Sequence, residues 1–148
     1  MKRILFVILM GACLPVMAQR PNIRDVFKAM PDSLTPYLTT NNRLDLMDFL
    51  DASMKSSVGN MMEGQTEMVS LTDDSLSLVM NEVMTLDLWT EPVDTGTVIC
   101  LRRTYRLNSR QQQVVEERFS RDWLSIKKKT SISTLLRRDE DIREKPHF

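Results

Sequence analysis

The chain is poor in the residues that usually carry chemistry. Of 148 residues only two are cysteine, Cys13 and Cys100, and one is histidine, His147. A structural zinc site draws four ligands from Cys, His and carboxylates, and no second cysteine or histidine stands near Cys100 to begin one. His147 is second from the end, where it has neither a nucleophile to serve nor a third group to orient it, so a catalytic imidazole is not expected. Net charge is absent too. Twenty basic residues balance twenty acidic ones, which removes the electrostatic reason to expect nucleic acid as a partner. No apolar run is long enough to span a bilayer: Ile4 to Val16 falls short of about twenty residues, and Gln19, Arg20 and Asn22 end it. No catalytic, cofactor or metal signature is found anywhere along the chain.

That apolar run has another reading. It follows Met1-Lys2-Arg3 and leads into Val16-Met17-Ala18, a basic start, a short apolar core and small or branched residues before a cleavage point, which together describe a secretory signal peptide over residues 1–18. Exported protein beginning at Gln19, periplasmic or secreted, is the expectation, with no transmembrane segment in the mature chain. Met10-Gly11-Ala12-Cys13 also resembles a lipoprotein box, which would anchor the chain through Cys13. Leu14 to Met17 argue against it by continuing the apolar run where a lipoprotein turns polar. If Cys13 leaves with the signal, Cys100 is alone, no internal disulfide forms and stability rests on core packing.

Two helices are expected next. Asn22 caps a short one through Met30, with Ile23, Val26, Phe27 and Met30 as its apolar stripe and Pro31 as its stop. The second runs from Asn41 to Gly64, where Leu44, Met47, Leu50, Met54, Val58 and Met61 recur at helical spacing. From Thr66 the period drops to two. Leu76, Leu78 and Met80 alternate with polar residues, as do Met84, Leu86 and Leu88, and Thr97 to Leu101 forms a continuous apolar strand. With Glu67–Leu71 and Gln112–Ser120, these give about five strands joined by short connections, which implies an antiparallel meander. The expected fold is therefore α+β, N-terminal helices packed on one face of an antiparallel meander sheet of about five strands. A single domain spans 19–126, and 127–148 reads as a charged C-terminal tail with Lys127-Lys128-Lys129 at its start.

Several blocks resemble a known family. Met30 to Val58, Ser70 to Glu82, Thr97 to Tyr105 and Asp122-Trp123 are similar to an uncharacterised family of exported Bacteroidales proteins that carries a domain-of-unknown-function label. The resemblance implies a place in the cell envelope of a Gram-negative bacterium. It implies no activity, and it ends at Trp123.

Candidate functional residues are few. Asp45, Asp48 and Asp51 step along the second helix and are expected to be a solvated acidic face rather than a cation site, since calcium sites draw six or more oxygens, usually from a loop. Asp73-Asp74 are expected in a turn. Trp89 and Trp123 are the candidate binding surface, because an exposed tryptophan is a common anchor for a partner. Three functions stay open: a non-catalytic envelope protein binding a protein or peptide partner, a secreted hydrolase working through Asp73, Asp74, Asp87 or the helical aspartates, and a surface lipoprotein anchored by Cys13. No cofactor is expected.

Overall fold

In a computed structural model the chain is described over residues 20–35 and 37–134. The signal segment with Cys13 and Ala18, and the tail residues 135–148 with His147, lie outside the described residues. Helix α1 (Ile23–Lys28) begins where Asn22 accepts a hydrogen bond from the Arg24 amide at 2.9 Å, and it buries Ile23, Val26 and Phe27. A single 3-10 turn, Asp32–Leu34, separates it from α2 (Thr40–Asp51). Thr39 and Asn42 close a reciprocal cap at the start of α2: the Asn42 amide donates to Thr39 Oγ1 at 3.2 Å and the Thr39 amide to Asn42 Oδ1 at 3.3 Å.

The helix expected through Gly64 stops thirteen residues earlier, at Asp51. Ser53 takes a left-handed φ of 54°, which no α-helix passes through. Beyond it the chain turns extended, and the Ser56 hydroxyl donates to the Leu46 carbonyl at 2.6 Å, folding the segment back along the helix. Of the residues expected on the helical stripe, Met54 and Met61 are exposed and Val58 is buried in a strand. Their spacing was compatible with a helix but carried no such meaning.

Seven strands then follow in order: β1 (Ser57–Gly59), β2 (Gln65–Leu71), β3 (Ser75–Asn81), β4 (Met84–Val93), β5 (Gly96–Arg106), β6 (Gln111–Phe119) and β7 (Ser125–Thr134). Each pairs antiparallel with the next, and the spatial order is the sequence order. The expectation of an α+β domain with N-terminal helices packed on an antiparallel meander of about five strands is thus overturned. Over the described residues the protein is mainly an antiparallel β-meander of seven strands with two short helices. Two strands were missed, β1 inside the supposed helix and β7 inside the supposed tail.

Alternation sets the faces of the sheet. Met68, Leu76, Leu78, Met80, Met84, Leu86, Leu88, Ile99, Leu101 and Phe119 point to one side and meet Ile23, Phe27, Leu46 and Met47 of the helices in one core. The helices lie over β1 to β4: α1 against β4, and α2 against β1 and β2. The opposite face carries Ser77, Asp87, Trp89, Arg102, Glu116 and Arg118 and meets solvent.

Candidate functional site

Trp89 sits midway along β4 on the solvent face, in register with Ser75 of β3 and Cys100 of β5. It is half-buried, because its neighbours close over it. The indole Nε1 donates to Glu91 Oε1 at 2.9 Å, and the Arg102 guanidinium lies 5.1 Å from the ring centroid, a cation–π distance. Arg102 in turn pairs with Glu116 at 2.9 Å, and Glu91 with Arg118 at 3.1 Å. This lattice stands in place of a second layer. Beneath it Cys100 is 1% exposed, and burial, with a smaller push from Glu91, raises its thiol to about 11. The thiolate, which is the reactive form, is disfavoured there.

Beside Trp89 a shallow depression brings together Asp74, Asp87, Glu91 and Arg102. These include two of the acids named for the hydrolase alternative. Asp87 accepts from the Ser77 hydroxyl at 2.7 Å, Asp74 from the Thr72 hydroxyl at 3.0 Å, and Glu91 from the indole. All three are engaged as acceptors within the sheet's own network. Asp73 lies in the β2–β3 turn, where its carbonyl receives the Ile23 amide at 3.1 Å. Asp45, Asp48 and Asp51 are exposed on α2, and Asp51 forms a two-pronged pair with Arg24 at 2.6 and 2.8 Å. The two sets are not brought to one site. Among the described residues no group of three His, Cys, Asp or Glu is arranged to hold a metal ion.

Trp123 has different surroundings from Trp89. It occupies the β6–β7 connection with a left-handed φ of 59°, its amide bonded to the Ser120 carbonyl at 3.0 Å. Its ring packs on Phe119 with centroids 5.4 Å apart and planes tilted by 53°. Between this ring, Val26 of α1, Ala29 at the helix's C-terminal cap, and Ile99 lies a cleft of about 170 Å³. Ligand pockets begin near 300 Å³, so the cleft is the size of a side chain. Trp123 acts here as packing that holds the corner of the sheet against α1.

What sequence reasoning missed is the far edge. β7 pairs with β6 along one side, and among the described residues the sheet ends there. Nine of its ten residues are exposed, Ser133 excepted. Lys127 and Lys129 project on the solvent face, opposite Arg118 and Glu116. Lys128 projects on the other face and reaches Glu117 at 3.2 Å; Glu117, only 8% exposed, is also bonded by Arg103. The sheet's other end differs. β1 is three residues long, and the Asn42 side chain donates to the Gly59 carbonyl at 3.2 Å.

The comparisons with known proteins bear on family and fold. Residues 14–144 match the family described as a protein of unknown function, DUF3256. No curated protein matches the chain. A solved structure, a domain of an uncharacterised protein from Porphyromonas gingivalis W83, a Bacteroidales organism, is similar with a TM-score of 0.59 at 20% sequence identity. The match covers 71% of this chain and 53% of that one, so the chain spans about half the length of the structure it resembles. At that identity the likeness speaks for the fold alone.

Proposed function

Since the chain belongs to the DUF3256 family, whose description assigns no activity, we propose a function from the geometry: a non-catalytic, exported cell-envelope protein that binds an extended segment of a protein partner at β7. The observation that carries the reading is the free edge of β7. A ten-residue strand, nine of its residues exposed and with a paired neighbour on one side only among the described residues, offers a row of unpaired backbone donors and acceptors. An added strand would satisfy them at about 1 kcal/mol net per hydrogen bond, the usual basis of peptide recognition by sheet extension. Ser125, Thr130, Ser131 and Thr134 give that edge a polar character suited to a partner that comes and goes.

Export is supported by the basic start, apolar core and Val16-Met17-Ala18 of the first eighteen residues. Mass measurement of the native N-terminus tests it: Gln19 is expected, a lipidated Cys13 would mean export with a lipid anchor, and an unprocessed Met1 overturns export. For binding, a photo-reactive residue at position 132 should crosslink to a partner segment in the envelope while one at position 59 does not. Hydrogen exchange of the β7 amides should slow in the complex. A bound partner that leaves β7 exchange unchanged sinks the strand-accepting reading.

A further inference from the structure

We infer that the strand accepted by β7 is acidic, with carboxylates at two alternate positions; this rests on the strand-accepting reading above. The argument starts from which charges of the edge are already balanced. Lys128 is, by Glu117. Lys127 and Lys129 share the other face, and the residues opposite them on β6 have other commitments: Arg118 is a like charge already paired with Glu91, and Glu116 is paired with Arg102. Neither Lys127 nor Lys129 has an ion-pair partner among the described residues. The edge therefore ends in two ammonium groups on one face, two strand positions and about 7 Å apart.

A strand added to β7 places its side chains about 5 Å from those directly opposite. Acids opposite Lys127 and Lys129 would complete the alternation of charge that runs across β4, β5 and β6 as Glu91–Arg118 and Arg102–Glu116. On the other face Ile132 is 67% exposed and is three positions from Lys129, so it calls for an apolar residue. In antiparallel pairing the partner then reads, from its N-terminus, apolar, two spacers, acid, spacer, acid. A second copy of this chain fits poorly as occupant at β7, because its own β7, SIKKKTSIST, holds no carboxylate to set opposite Lys127 and Lys129.

The test uses three short peptides of equal strand propensity, TITSETET, its glutamine version TITSQTQT and its lysine version TITSKTKT, titrated into the protein with hydrogen exchange as a second readout. The acidic peptide is expected to bind tightest, to slow β7 exchange, and to lose affinity as salt shortens the screening length from about 10 Å at 0.1 M. Lys127→Ala and Lys129→Ala should each weaken it by about two- to five-fold. The double variant K127E/K129E should prefer the lysine peptide, a reversal that misfolding does not produce. Equal binding of the glutamine peptide with β7 protection would overturn the acidic partner and leave strand addition standing. Binding without β7 protection, or no binding of any peptide, would overturn both. A lysine-dependent dimer in sedimentation would identify a second copy as the occupant, and lysine-dependent binding to phosphatidylglycerol vesicles without peptide binding would identify a membrane surface; either overturns the proposal.

Discussion

β3 and β7 are both strands of one meander, yet Leu76, Leu78 and Met80 of β3 are buried whereas in β7 only Ser133 is even partly covered. Strand length does not explain this, since β7 is the longer. The helix layer does. Two helices side by side, each about 10 Å across, cover roughly 20 Å, while seven strands at about 4.8 Å spacing extend over roughly 29 Å. With α1 and α2 over β1 to β4, the sheet outruns its cover, and β7 is held by pairing rather than by core. The molecule thus has a packed end, where substitutions act through cavities, and a paired end, where they act through surface charge.

Phe27→Ala at the packed end is expected to have the largest effect, about 3–5 kcal/mol in denaturant unfolding, because the ring is fully buried in the core. Arg43→Ala comes next, at about 2 kcal/mol. This side chain is 2% exposed and ties α2 to the preceding turn through Asp32 at 3.0 Å, Thr35 at 2.8 Å and Thr40 at 3.2 Å, so its loss strands the buried Thr35 hydroxyl.

Cys100, near the boundary between the two ends, gives a pH effect of similar or smaller size. Its thiol ionises from 9.0 in the unfolded chain and about 11 in the fold, so between these values the unfolded chain loses a proton that the fold retains. Stability should be full below pH 9 and decline towards pH 11. In Cys100→Ala that part of the decline should vanish, and at neutral pH the wild-type thiol should resist labelling by a disulfide reagent until the protein is unfolded. Asp51→Ala, which breaks an exposed pair with Arg24, should cost about 0.2–1 kcal/mol, less at high salt. Ile132→Ser in β7 should be smallest, within about 0.5 kcal/mol in thermal unfolding. A loss of 2 kcal/mol or more there would mean that the two ends are not energetically distinct.

The packed end was the legible one. Leu76, Leu78, Met80, Met84, Leu86 and Leu88 are buried as their alternation indicates, because a half-buried strand writes its exposure into a period of two. Ile23, Val26 and Phe27 are likewise buried on α1. The second helix misled because three-residue β1 is too short to show a period, and the methionines after Asp51 happened to continue the helical one. β7 carries a signal that the lysines hid: Ile126, Lys128, Thr130, Ile132 and Thr134 occupy alternate positions, mostly β-branched residues favoured in strands. Composition drew the eye to a charged tail. Trp89 lies on the face that the alternation of Met84, Leu86 and Leu88 leaves free, whereas Trp123 carries no such signal; the surroundings of both, an ion-pair lattice and a packed corner, depend on contacts between strands distant in sequence. The burial of Arg43 left no trace in the pattern, since it needed Asp32 and Thr35 to be brought beside it.

Under the proposed strand addition at β7, the unequal edges of the sheet would also set the stoichiometry. At β1 the strand is three residues long and a carbonyl of its last residue, Gly59, is taken by Asn42, so a molecule that gains a strand at β7 has no comparable acceptor at its opposite end. Assembly from a sheet with two receptive edges propagates head to tail into filaments. With one, it saturates: a single guest strand per molecule, an endpoint in titration, and a built-in stop against the fibre growth that a long exposed edge otherwise invites.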